Sequence, residues 1–97
     1  MRHFYRTQLA PAEVLSMAEQ FFPTIGLERE AHTPRSRTFS GALGTLHLTV
    51  KKEGGHYTFV QVDTDKMGES RLDRNAKKYF VELHRASDPR HIPTAAY

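Results

Sequence analysis

The chain has 97 residues, with 14 Lys and Arg against 11 Asp and Glu, a formal net charge of +3, 38% hydrophobic residues and no cysteine. Those figures suit one compact domain with a thin core, since small domains bury a lower share of their surface. They exclude disulfides and Cys-ligated metal sites, and no apolar run approaches the roughly 20 residues of a membrane helix.

Residues 2–8 mix aromatic and polar types and read as a first strand. The opening residues, Met1 to Arg6, lack the apolar stretch of a secretory signal, so no membrane insertion and a cytoplasmic location are expected. Pro11 suits the first position of a helix, where its missing N–H is not needed. From there to residue 22, Val14, Leu15, Met17, Ala18, Phe21 and Phe22 fall on one arc, with Glu13, Ser16, Glu19 and Gln20 opposite. The two glutamates need no role beyond solubility. Pro23 is expected to end this helix, because the residue before a proline avoids the helical region. Residues 25–32 alternate and predict a second strand, Thr33-Pro34-Arg35-Ser36 a turn, and residues 37–40 a short third strand.

Residues 45–51 and 56–63 alternate strictly and predict a hairpin across Glu53-Gly54-Gly55. A three-residue loop ending in a left-handed glycine pairs Lys52 with His56, Leu46 with Val62, Leu48 with Val60 and Val50 with Thr58. That register gathers the aliphatic residues on one face. His47, Thr49, Lys51, Tyr57, Phe59 and Gln61 gather on the other.

A long helix is expected over 69–86, capped by Ser70, with Leu72, Ala76, Tyr79, Phe80 and Leu83 on its apolar arc. Arg71, Arg74, Lys78 and Arg85 form a basic stripe on another side, with Lys77 nearby, Glu82 interrupting and Val81 on the same side. Asp73 stands four residues before Lys77, a spacing that suits an ion pair. Ser87-Asp88-Pro89 should stop the helix. Residues 1–88 then form a single domain and 89–97 an extended tail.

The order is β-α-β-β-β-β-α. It predicts an α+β fold, an antiparallel sheet with two helices on its aliphatic face. This order resembles the TATA-binding-protein-like and helix-grip folds, the latter used by lipid-binding domains of the START type. The resemblance spans nearly the whole chain and rests on element order alone.

Residue motifs for chemistry are sparse. Asp63-Thr64-Asp65 with Gly68-Glu69 departs from a calcium loop at the fifth position, Met67, and the twelfth, Arg74. The six histidines show no metal-binding spacing, and His47 and His56 fall on opposite faces of the predicted hairpin. No nucleophile motif or phosphate-binding glycine loop is present. No catalytic residue, metal or cofactor is expected, and the chain does not read as an enzyme.

Three surfaces or spaces remain for function. The aromatic sheet face (His47, Thr49, Lys51, Tyr57, Phe59, Gln61) lacks a cover if both helices take the aliphatic face. The stripe Arg71, Arg74, Lys78, Arg85 and a second basic cluster, Arg29, Arg35 and Arg37, suit phosphates or an acidic protein. The expected role is a small non-catalytic module that docks on a larger protein or on itself through the sheet face and the stripe. The alternatives are a helix-grip-type domain holding a small hydrophobic ligand between the layers, and nucleic-acid binding by aromatic stacking beside positive charge.

Overall fold

The computed structural model describes residues 1–87. In chain order these form β1 (Arg2–Thr7), α1 (Pro11–Phe21), a 3-10 turn (Phe22–Ile25), β2 (Glu28–Thr33), β3 (Ser36–Gly41), β4 (Gly44–Glu53), β5 (Tyr57–Thr64) and α2 (Arg71–Ser87). The strands make one antiparallel sheet in the order β1-β5-β4-β3-β2, so the fold is α+β. Asp88-Pro89 and the expected tail lie outside the described residues. No helix among those described is long and apolar enough to cross a membrane.

Period-two alternation in β4 and β5 buries Leu46, Leu48, Val50, Thr58, Val60 and Val62 on one sheet face. Both helices lie on that face. Val14, Leu15 and Ala18 of α1 and Leu72, Ala76, Tyr79 and Leu83 of α2 join the same buried cluster. Phe80, expected in the core, is half-buried and stacks on Tyr5 of β1 with ring centroids 5.3 Å apart.

The α-helix ends at Phe21, ahead of Pro23 as expected, but Phe22 before the proline stays in the helical region and the path continues. Phe22 is fully buried between Phe39 and Tyr79, at centroid distances of 5.1 and 5.0 Å. The chain tightens into a 3-10 turn that holds this anchor in place, and proline fits early in that turn. Gly26, at φ 85°, closes the turn, and the Leu27 N–H donates to the Phe22 carbonyl at 3.2 Å. The second strand consequently begins at Glu28 rather than residue 25. All six of its residues are exposed, as suits a short charged edge strand with a bulge between Arg29 and Ala31.

The hairpin register also departs from expectation. The loop is Gly54-Gly55-His56, not Glu53-Gly54-Gly55, and both glycines are left-handed, at φ 59° and 78°. Lys51 therefore pairs with Phe59, Lys52 with Thr58 and Glu53 with Tyr57. Leu48 faces Val62, Val50 faces Val60 and Leu46 faces Thr64. Every partner has moved by two residues, an even shift, so each side chain keeps its predicted face.

Ser70 caps α2 as expected. Its Oγ accepts from the Asp73 N–H at 3.0 Å and donates to Asp73 Oδ2 at 2.6 Å. Asp73 does not reach Lys77. It is fully buried and also takes bonds from Thr64 Oγ1 and His3 Nε2, both at 2.8 Å. Lys77 pairs instead with Glu69 at 2.7 Å. A buried carboxylate needs such partners, and here they tie β1 and β5 to the first turn of α2.

Candidate docking surfaces

The sheet brings all six predicted face residues together on the side away from the helices. Tyr57 is 46% exposed, His47 and Lys51 are exposed, and Thr49, Phe59 and Gln61 are half-buried. β1 adds three residues that the hairpin alone does not reveal. Arg2, Phe4 and Arg6 alternate onto this face because β1 pairs along β5. Phe4 is 53% exposed, and its ring lies 5.3 Å from that of Phe59. The period-two pattern Arg-x-Phe-x-Arg was the available signal; the strand it pairs with was not.

Charges on this face are largely matched within it. Arg6 Nε donates to Glu53 at 2.9 Å while its guanidinium lies 4.9 Å over the Phe59 ring. Arg2 Nε donates to Asp63 at 2.7 Å, and the Gln61 amide donates to the other Asp63 oxygen at 2.8 Å. Burial alone would raise the Asp63 carboxyl, but the hydrogen bonds from Arg2 and Gln61 outweigh it and hold the group below its usual range. His47 Nδ1 shares a 2.8 Å hydrogen bond with Thr38 Oγ1. What remains is an aromatic strip with a matched polar surround, plus Lys51.

The basic stripe lies on a separate surface, on the helix-covered side. Arg71, Arg74, Lys78 and Arg85 are all exposed. The first three, with Asn75, form one wall of an open groove of about 630 Å³. Thr24 to Gly26 and the β3–β4 turn (Ala42, Leu43) form the other wall. A second concavity of about 450 Å³ shares Thr24, Ile25, Asn75 and Lys78 and runs on to Val81 and Arg85. Arg85 lies 3.7 Å from Glu82. Among the described residues, no carboxylate forms an ion pair with Arg71, Arg74 or Lys78.

The second basic cluster is not a free one. Arg29 and Arg37 both bond Glu19 of α1, at 2.6 and 3.1 Å, which leaves Arg35 outside the pair. Glu19 thus pins β2 and β3 to α1 and is more than a solubilising residue. Its carboxyl is held low chiefly by the Arg37 bond. Glu13 likewise reaches back to the Ala10 N–H at 3.3 Å, capping α1.

The calcium-loop resemblance has a structural use. Asp65 Oδ1 accepts from the Thr45 N–H at 3.0 Å. Among the described residues, no three His, Asp or Glu side chains converge as metal ligands. No family model matches the chain, and no curated protein matches its sequence. The surface geometry therefore bears the functional reading.

Among the described residues, aromatic rings pack the interior. Tyr79, Phe22 and Phe39 fill the space between the layers, and α2 lies close on the sheet, with the Tyr79 hydroxyl bonded to the Val14 carbonyl of α1 at 2.6 Å. A helix-grip ligand would have to displace these rings.

Proposed function

We propose that the chain is a small non-catalytic docking module of the cytoplasm, joining a partner protein or a second copy through the open sheet face. The observation that carries this reading is the aromatic strip Phe4, Tyr57 and Phe59. Two of its rings stand about half exposed, on a sheet face that neither helix covers. Covering the exposed half of such a ring with a partner gains roughly 0.8–1.5 kcal/mol, half the value of full burial. The surrounding ion pairs already satisfy one another, so a protein partner covers this face without stranding several unpaired charges.

The same features weigh against nucleic acid on this face. Of the cations beside the aromatic rings, Arg6 and Arg2 are committed to Glu53 and Asp63, which leaves Lys51, cross-strand from Phe59. Phosphates would have to compete with those carboxylates, and a base would have to displace Arg6 and Phe4 from the Phe59 ring.

The test is the mass of the native assembly, by sedimentation of the purified chain and of material isolated from its source. An assembly larger than the single chain is expected, lost in Tyr57→Ser combined with Phe4→Ser while the circular dichroism spectrum is kept. A chain that purifies alone and sediments as a monomer at high concentration overturns the proposal.

A further inference from the structure

The groove beside α2 is a second surface, distinct from the sheet face, and its cations are spaced. Arg71, Lys78 and Arg85 stand seven residues apart, which sets their Cα atoms about 10.5 Å apart along the helix. Three residues of an extended chain span about 10 Å. Beside Thr24 and Asn75, apolar side chains line the space between the cations: Ile25 and Leu43 are half-buried, and Val81 is 49% exposed. Arg71, Arg74 and Lys78, without a carboxylate partner among the described residues, thus face the first concavity, and Arg85, 3.7 Å from Glu82, stands at the far end of the second.

We propose that this groove takes an extended acidic segment of a partner protein, with carboxylates at about every third residue and apolar side chains between them. Each carboxylate meets one cation of the stripe, and the apolar side chains settle on Ile25, Leu43 and Val81. Charge complementarity selects the acid, and the apolar side chains between the cations select a peptide over a phosphate backbone. A nucleic-acid single strand needs exposed rings to stack upon, and among the described residues the groove offers only the half-buried Phe21. The inference rests on the reading of the chain as a docking module and assigns the chemistry of what its second surface holds.

The test is fluorescence anisotropy with the full chain and three labelled probes: a peptide with Asp at every third position and Leu and Gly between, the same composition with its Asp residues clustered, and a single-stranded oligonucleotide. The spaced peptide should bind most tightly. The double variant Arg71→Gln, Lys78→Gln should weaken it roughly fivefold or more, and Tyr57→Ser should leave it unchanged. Equal binding of the clustered peptide, tighter binding of the oligonucleotide, or insensitivity to the double variant overturns the proposal. A native assembly that persists without any peptide binding overturns this groove assignment and leaves the sheet-face reading standing. A monomeric chain that still binds the spaced peptide does the reverse.

Discussion

The Tyr79 hydroxyl donates a 2.6 Å hydrogen bond to the Val14 carbonyl, joining α2 to α1 inside the core. The ring is fully buried, and burial holds the hydroxyl in its neutral, donating form by pushing its pKa far up. Tyr79→Phe keeps the ring and loses the bond, and should cost about 1 kcal/mol by urea denaturation. Tyr79→Ala removes the ring that also contacts Phe22, and should cost about 3–5 kcal/mol. Equal costs for the two variants would mean that the ring contributes nothing and that the layers are not packed as described.

The two sheet faces should respond oppositely to truncation. Leu48 is fully buried beneath the helices, so Leu48→Ala should cost about 2–5 kcal/mol. Phe59 is half-buried on the open face, and Phe59→Ala should leave the fold intact, at a cost below about 2 kcal/mol, while weakening assembly. Thermal melts of both variants at one concentration check this. Unfolding by Phe59→Ala would place that ring in a core and remove the docking face.

Acid should unfold the domain through three carboxylates held below their usual range. Burial alone would raise Asp73, but bonds from Ser70, His3 and Thr64 outweigh it; Asp63 and Glu19 are held low by arginine partners. A lowered folded pKa means that the unfolded chain binds more protons, so stability rises with pH in this window. The contribution is complete above the usual carboxyl values of 3.8 and 4.5, and is lost as pH falls through the lowered ones. Urea midpoints between pH 7 and 2 should fall most steeply below about pH 4. Asp73→Asn should destabilise the protein at pH 7 and flatten that fall. A curve of unchanged steepness would show that the buried carboxylate is not coupled to folding.

The hairpin turn should discriminate between glycine and alanine at two consecutive positions. Gly54 and Gly55 sit at φ 59° and 78° with nothing within 4 Å of an added Cβ, so the penalty is conformational and not steric crowding. Gly54→Ala and Gly55→Ala should each cost about 1–2 kcal/mol. Had the loop been Glu53-Gly54-Gly55, Gly54→Ala would be nearly neutral, so calorimetric melting of that variant separates the two registers.

What the sequence by itself determined were the elements and the face each side chain takes. Alternation in β4 and β5 and the helical arcs at Leu72, Ala76, Tyr79 and Leu83 are local periodicities, and an even register slip leaves them untouched. The six residues of the open sheet face and the four of the stripe were legible for that reason. Only the tertiary structure decided the partners. Asp73 turned from Lys77 to His3, Glu19 took up Arg29 and Arg37, and Phe4 joined Phe59, each by contacts between segments far apart in the chain. The groove arose likewise, because packing sets the turns around Ile25 and Leu43 opposite α2. Periodicity reports which side of an element is apolar. It carries no record of which distant charge or ring lies across from it, since that depends on how the layers close.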